Sequence, residues 1–271
     1  TGELPVTIIG ENLKGYEITC SDSSFGNVNY VSDNMIKATV NCNGIVGENT
    51  ITVTSGISSA SGTVKVVAAE KCFVVGDVLL TDGTRIKAEN VQYGLPSGKN
   101  AFAVIVSTSY GGGVGKAVGL QRSASTLVWA QDGTTGYNTN FTGIQATRSG
   151  DNSSGYTFSG DIDGSDNWEY ICSIDPEGIQ DAATNYPAFN FALTYGTTAG
   201  LTETDYENGW YVPSVAELYD VYTNKEVVQT SLNAAGGFTL GTSYYWSSSQ
   251  DASGSSYACY VFFSNGSVKY Y

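Results

Sequence analysis

The chain has 271 residues, 41% of them hydrophobic, and a formal net charge of −14, a composition typical of a globular protein with one large domain or two ordinary ones. The excess of carboxylates argues against nucleic-acid partners and anionic membrane surfaces, because both require a basic face. The absence of histidine excludes Ser-His-Asp and Cys-His catalytic arrangements, and zinc sites with imidazole ligands.

Residues 1–69 have the pattern of a small all-β unit. The short β-branched runs PVTIIG, YEITC, MIKATVNC, NTITVTS and TVKVV are separated by Gly, Asn and Asp. A β-sandwich is the simplest arrangement for such strands. The stretch LPVTIIGENLKG also resembles the opening of Ig-like domains that bacteria place in series along surface proteins. Cys20 and Cys42 could form a disulfide across strands in an oxidising compartment, or remain as buried thiols.

A second unit, predicted over 70–271, follows the junction VVAAEKC. VGDVLLTDGTRI predicts two strands joined by a turn at Asp82-Gly83. AFAVIVSTS and STLVWAQDG predict further strands. Residues 139–167 are mostly Gly, Ser, Thr, Asn and Asp, and we expect them to run as long loops, which are often functional in a compact domain.

Two helices are predicted after the segment GWYVPS. Ser214 is a good N-cap and Glu217 stands three residues later, which is the pattern of a capping box. Val215, Leu218 and Tyr222 then recur on one helical face. A second helix is predicted from Lys225 to Ala235, ending at Gly236-Gly237. Strands and helices together predict the α+β class.

The stretch DIDGSDNWE brings four carboxylates close together in sequence. The candidate metal ligands are Asp161, Asp163, Asp166 and Glu169. Carboxylates with nearby carbonyl oxygens can hold Ca²⁺, although this spacing does not fit an EF-hand loop. The alternative is a solvated acidic loop without a metal.

The last 28 residues, from Tyr244 to Tyr271, contain nine aromatic side chains among runs of Ser, Gly and Asp. Asn265-Gly266 between apolar runs predicts a two-residue hairpin turn, with Phe263 opposite Val268. One face of this hairpin would carry Cys259, Val261, Phe263, Val268 and Tyr270. The other would carry Tyr260, Phe262, Lys269 and Tyr271. Exposed aromatic clusters usually mark a contact surface, and the alternative is that Tyr260 or Phe262 is covered by another part of the domain.

Several motifs carry a resemblance to a known family. GWYVPSVAELYDVYTNKEVVQTSLNAAGG, YYWSSSQ and FSNGSV, with VGDVLLTDGT and STLVWA nearer the start, resemble bacterial C-type-lectin-fold domains related to the formylglycine-generating enzyme. Within that group the sequence is most similar to the variable proteins of diversity-generating retroelements. The resemblance covers about 72–271 and implies that 70–271 is a C-type-lectin-fold ligand-binding domain.

In that family, mutation at adenines, with Asn codons as favoured targets, diversifies an exposed ligand-binding surface on a fixed scaffold. Such codons cannot yield Trp, Gln or Lys, so the resemblance implies that Trp246, Gln250 and Lys269 are fixed. The positions that it implies are variable and ligand-binding are Asp251, Ser253, Gly254, Ser255, Ser256, Tyr257, Tyr260, Phe262, Ser267, Tyr270 and Tyr271. Tyr270 fits this set less well because hairpin geometry places it on the inward face.

The main hypothesis is therefore a bacterial binding protein, anchored at the outer membrane or secreted, whose C-terminal hairpin and preceding loop contact a protein or other surface ligand. We expect a monomer that is not an enzyme, without nucleic-acid partners and without a cofactor apart from the Ca²⁺ considered above. No apolar run approaches the ~20 residues of a membrane span, and we expect any export signal or anchor to lie outside residues 1–271. The alternatives are an oxidase of the formylglycine-generating type, for which no matching cysteine pair is found, and a purely structural stalk that binds nothing.

Overall fold

The computed structural model describes residues 2–9, 17–20, 24–32, 35–42, 47–55, 58–66, 73–108, 115–253 and 256–271. The chain divides into two compact units. The first contains the strands before residue 67, and the second contains the described residues from Phe73 onward. The chain combines mainly antiparallel sheets with several helices, which confirms the α+β prediction.

The described part of the first unit consists of two antiparallel three-stranded sheets. Its strands are β1 (Gly2–Ile9), β2 (Glu17–Cys20), β3 (Ser24–Ser32), β4 (Met35–Cys42), β5 (Gly47–Ser55) and β6 (Ser58–Val66). The sheet orders are β1-β4-β3 and β2-β5-β6. Sequence analysis missed β3, because Gly26-Asn27 interrupts its apolar pattern. The register shift between Phe25 and Val28 accommodates these two residues as a bulge.

Cys20 and Cys42 end strands that belong to different sheets, so they are not cross-strand neighbours within one sheet. Their side chains lie outside what the structure describes, and the disulfide stays a prediction.

The first sheet of the second unit has the order β10-β9-β7-β8. Its strands are β7 (Val78–Leu80), β8 (Arg85–Ile86), β9 (Ala101–Ser107) and β10 (Lys116–Gly119). The predicted turn at Asp82-Gly83 is confirmed, because β7 and β8 pair antiparallel and Gly83 has a φ of 80°. Residues 109–114, in the Gly-rich segment, lie outside the described residues.

The strand predicted at STLVWAQDG is wrong, because residues 125–133 have an irregular backbone. This backbone bonds to a helical region instead of a strand. Gln131 N donates to Asn185 O at 2.8 Å, and Ala188 N donates to Val128 O at 3.2 Å. The β-like run of apolar residues reflects burial, since Trp129 is only 5% exposed.

The second sheet has five strands in the order β12-β11-β13-β14-β15. They are β11 (Gln145–Asp151), β12 (Gly155–Gly160), β13 (Tyr244–Asp251), β14 (Ala258–Phe262) and β15 (Ser267–Tyr270). All neighbouring pairs are antiparallel except β11 and β13.

The prediction of long loops over 139–167 is therefore wrong for residues 145–160, which form a hairpin. Its tight turn depends on Asp151, whose Oδ1 accepts from the backbone N–H groups of Ser153 and Ser154 at 2.8 Å each. Polar turn chemistry of this kind closes a hairpin without the apolar alternation that identifies strands in sequence.

Seven α-helices lie in the described part of the second unit. They are α1 (Thr135–Asn138), α2 (Asn167–Ile174), α3 (Ala182–Asn185), α4 (Pro187–Leu193), α5 (Tyr195–Thr198), α6 (Val215–Thr223) and α7 (Lys225–Ala234). The capping box at the start of α6 is confirmed, with Ser214 Oγ accepting from Glu217 N and the Glu217 carboxylate accepting from Ser214 N. The second predicted helix is confirmed as α7, which is followed by Gly236 at a φ of 72°.

Strands β13 and β14 contribute to a hydrophobic core on each of their two faces. Val261 and Tyr245 pack in a cluster with α6 and α7, represented by Leu218 and Val228. Ala258, on the alternate face of β14, belongs to an aromatic cluster built around Trp129, Phe141, Tyr186 and Phe189. The second cluster covers one end of that face and leaves the other end for the surface described next.

Candidate ligand-binding surface

The C-terminal hairpin forms, but with a longer connection than the two-residue turn predicted. Phe262 pairs with Ser267 and Val261 pairs with Val268, so four residues, 263–266, join β14 to β15. Phe263 leaves the ladder because its ring is buried, 1% exposed, and lies 4.8 Å from the Tyr245 ring centroid. The predicted pairing of Phe263 with Val268 is wrong by two positions, a shift that leaves every side chain on its predicted face.

Gly266 makes this longer connection possible. Its N–H donates to Phe262 O at 2.7 Å, and its φ is 77°. A Cβ at this position would lie 2.2 Å from the Tyr222 ring. Glycine is therefore required both for the backbone conformation and for the close approach to α6.

The outer face of β13 and β14 carries a group of aromatic side chains that we call the aromatic platform: Tyr244, Trp246, Tyr260, Phe262 and Tyr271. The Tyr260 ring centroid lies 5.6 Å from that of Tyr244 and 5.5 Å from that of Trp246. Tyr244 is 52% exposed and Tyr271 is 76% exposed, while the other three rings are half-buried. Of the predicted variable positions, the structure brings Tyr260, Phe262 and Tyr271 together here, with Ser267 paired to Phe262.

The other face of the hairpin carries a separate stack. The rings of Tyr257 and Tyr270 are parallel within 10° at 6.3 Å, and the Arg148 guanidinium lies 5.3 Å from the Tyr270 centroid. Tyr270 shares the face of Val268 as predicted, yet it is 43% exposed because it lies at the end of the sheet. The structure therefore does not bring all the predicted variable side chains onto one surface.

The loop from Asp251 to Tyr257 is closed at its base by Asp251 N donating to Tyr257 O at 3.0 Å. The Asp251 carboxylate accepts from Ser253, and Ser256 O accepts from the Gln250 amide. Gly254 and Ser255, two of the predicted variable positions, lie outside the described residues.

The scaffold beneath the loop includes a buried polar segment that sequence analysis missed. Ser247, Ser248, Ser249 and Gln250 are all 0% exposed. Between Trp246 and Gln250 the regular pairing with β14 is interrupted by a bulge, although Ser247 Oγ still donates to Cys259 O at 2.9 Å. Ser249 Oγ accepts from Val215 N at 3.0 Å, and Ser248 N donates to Pro213 O at 2.7 Å. These bonds fix β13 to the start of α6, a long-range arrangement that serine-rich sequence does not signal.

Two indoles hold residues 127–129 against β13. Trp246 Nε1 donates to Leu127 O at 3.0 Å, and Trp129 Nε1 donates to Ser247 O at 2.9 Å. Trp246, predicted to be a fixed residue, therefore contributes both a platform ring and a scaffold hydrogen bond.

The four candidate metal ligands have protein partners or are dispersed. Asp161 Oδ2 accepts from Asn167 Nδ2 at 2.7 Å, and Asp163 pairs with Lys116 at 3.2 Å. Asp166 is the N-cap residue of α2, and Glu169 lies in its first turn. Within the described ranges, which include all four, no group of three Cys, Asp or Glu side chains is arranged to hold a metal ion. The structure thus does not gather these carboxylates into a calcium site.

Instead, Glu217 organises this region. Its Oε2 accepts from Gly164 N and Ser214 N at 2.9 Å each, and its Oε1 lies 2.8 Å from Tyr211 Oη and 3.2 Å from Lys116 Nζ. Burial acts to lower the pKa of Lys116, but the contacts with Tyr211 and Glu217 outweigh it and raise that pKa. Lys116 therefore stays charged and joins β10 to α6.

The thiol of Cys259 is unsuited to thiolate chemistry. Burial raises the pKa of this thiol to about 12, and it is only 4% exposed. At pH 8 the thiolate fraction is on the order of 10⁻⁴, and the thiolate is the reactive form.

We expect Cys259 to remain unmodified by iodoacetamide at pH 8 in the native protein and to react fully in urea. Peptide mass spectrometry measures this, with half-buried Cys172 as the internal comparison that should react first. Alkylation of native Cys259 at the rate of a model thiol would show that the site opens.

Comparisons with protein-family models, with curated proteins and with solved structures found no match. In the described segments, no helix has the length and apolar character that crossing a bilayer requires.

Proposed function

We propose that the second unit is a binding module that contacts a macromolecular ligand through the aromatic platform. The observation that carries this proposal is the cluster of five neighbouring aromatic side chains on one sheet face, with Tyr244 and Tyr271 more than half exposed. Tyr and Trp rings supply rigid contact area at low entropic cost and dominate the energy of many interfaces.

The scaffold supports this proposal because it is stabilised independently of the platform's exposed rings. The buried serines, Gln250 and the indole of Trp129 hold β13 through hydrogen bonds that Tyr244 and Tyr271 do not make. Replacing the exposed rings should therefore change the surface without removing the core. This separation is what a diversified surface would need, and we include diversification at the exposed positions in the proposal.

The finer fold assignments and the cellular location form part of the same proposal. Two antiparallel three-stranded sheets support an Ig-like first unit acting as a spacer. A five-stranded sheet that ends in a hairpin and packs on α6 and α7 supports a C-type-lectin-type second unit. Display at a bacterial surface is proposed from these assignments and from the family resemblance. Binding is proposed from the site alone, because a fold does not fix a function.

The test is a screen of the full chain against random-peptide and glycan arrays, followed by affinity measurement on the hits. The triple variant Tyr244→Ser, Tyr260→Ser, Tyr271→Ser should weaken binding by about 100-fold or more, because truncated interface aromatics commonly carry most of the affinity. Its Tm should fall by no more than about 5 °C, since two of the three rings are largely solvated.

The matched control is the double variant Tyr93→Ser, Tyr137→Ser, which removes tyrosines that are 79% and 40% exposed elsewhere in the second unit. It should bind like the wild type. Equal binding by the triple variant, or an unfolded triple variant, would show that the platform is not a ligand surface.

A further inference from the structure

The surroundings of the aromatic platform differ in charge from the rest of the chain. Residues 236–250 and 256–271 build the platform or lead into it, and they contain no Asp or Glu, although the chain has 26. They do contain Lys269. The nearest carboxylate in sequence is that of Asp251, the last residue of β13. A platform whose own segments lack carboxylates is suited to a negatively charged partner.

Two cations flank strand β15, and neither forms an ion pair with a carboxylate of the described residues. Lys269 is exposed on the platform face, and Arg148 donates to Val268 O from the other side. The ion pairs found among the described residues are Arg85–Asp77, Lys99–Asp82 and those of Lys116, so they involve neither of these side chains. The Lys269 charge is available to a ligand at this edge, whereas the Arg148 guanidinium is already bonded to Val268 O and lies over the Tyr270 ring.

Among the described strands, β15 is the edge strand of its sheet. Tyr271 and Ala258 exchange both backbone hydrogen bonds at 3.0 Å. Because hydrogen-bonded and non-hydrogen-bonded pairs alternate in an antiparallel ladder, the backbone groups of Val268 and Tyr270 point away from β14. The Arg148 bond to Val268 O agrees with this direction. Because Arg148 already occupies Val268 O, a further strand would bond to Val268 N and to the backbone groups of Tyr270.

Together these features specify a class of ligand. We propose that β15 accepts an extended acidic peptide segment as an added strand, with a carboxylate next to Lys269 and its apolar side chains on the aromatic platform. This inference rests on the proposed function and adds the ligand's chemistry and binding mode. A polyanionic sugar chain would share the charge preference but could not use the backbone groups of the edge.

The test uses fluorescein-labelled decapeptides that repeat Glu-Val-Glu-Tyr, and measures their binding to the full chain by fluorescence anisotropy. We expect binding that weakens as salt increases, since exposed charge pairs are screened. Peptides with Gln in place of Glu should bind about 10-fold more weakly, and peptides with Lys should not bind. N-methylation of alternate peptide bonds should also weaken binding about 10-fold, because it blocks strand addition.

Lys269→Glu is the protein variant for this test, with Lys87→Glu as a control that changes the net charge equally at a site far along the chain. Lys269→Glu should weaken binding of the Glu peptide about 10-fold and improve binding of the Lys peptide, whereas Lys87→Glu should do neither. Equal binding of the N-methylated peptide would overturn strand addition, and equal binding of the Gln peptide would overturn the acidic preference.

A parallel measurement with polygalacturonate separates the ligand classes. Binding of this polymer but of no peptide, lost in the platform triple variant, would overturn the peptide inference and leave the proposed function standing. Array hits that depend on the platform but are insensitive to Lys269→Glu would have the same meaning. Failure of the peptides, the polymer and the arrays together would overturn both.

Discussion

Replacing Glu217 with Ala should lower the free energy of unfolding of the second unit by about 4 kcal/mol, the range seen when one partner of a buried ion pair is removed. Glu217 is 4% exposed, and its carboxylate accepts from Gly164 N, Ser214 N and Tyr211 Oη as well as pairing with Lys116. The substitution leaves these donors without their acceptor and removes half of the capping box.

Tryptophan fluorescence during urea unfolding measures this loss in one unit alone, because every Trp of the chain follows residue 72. Glu226→Ala is the matched control. Glu226 also lies in the first turn of a helix, α7, but is exposed, so its removal should change stability by less than about 0.5 kcal/mol. A loss below about 1 kcal/mol for Glu217→Ala would mean that the network contributes little to stability.

The importance of Glu217 illustrates how far local sequence patterns reach. The spacing of Ser214 and Glu217 predicted the start of α6 because a capping box is complete within four residues. The same pattern could not reveal that Glu217 also bonds to Gly164 and Lys116, which are 53 and 101 positions away in the sequence. A short-range signal located the residue, and only the fold showed its second role.

The C-terminal hairpin shows that a local motif can predict a turn without predicting the strand register. Asn265-Gly266 correctly predicted a turn, but the register depends on whether Phe263 stays in the ladder or packs into the core. Its contacts with Tyr222 and Tyr245 decide this, and neither is adjacent in sequence. Because the error was two positions, the predicted outer face survived, and Tyr260, Phe262 and Tyr271 were placed correctly. The buried serines were missed because serine is mostly an exposed residue, and no local pattern marks one whose hydroxyl is bonded in the interior.

Gln250→Ala should destabilise the second unit by about 3 kcal/mol, because it leaves the buried Phe141 N and two partly buried carbonyl groups without their partner. The Gln250 side chain is fully buried, and its Oε1 accepts from Phe141 N at 2.7 Å. Its Nε2 donates to Thr139 O at 3.0 Å and to Ser256 O at 3.2 Å. Only an amide of this length supplies one acceptor and two donors here, which gives a physical reason for the expectation that this position is fixed.

The effect should also have a local signature. Because Gln250 ties Ser256 to Thr139, its loss should speed proteolysis of the loop from Asp251 to Tyr257 at urea concentrations that leave the rest of the unit folded.

Gln250→Glu separates shape from hydrogen bonding, since it keeps the acceptor but has no amide donor, and it should destabilise nearly as much as Ala. Gln92→Ala, at an exposed amide that reaches only Glu89 O, should change stability by less than about 0.5 kcal/mol. If Gln250→Ala instead behaved like Gln92→Ala, the hydrogen bond from Asp251 N to Tyr257 O would be enough to hold the loop. The buried amide of Gln250 would then not position the surface next to the platform.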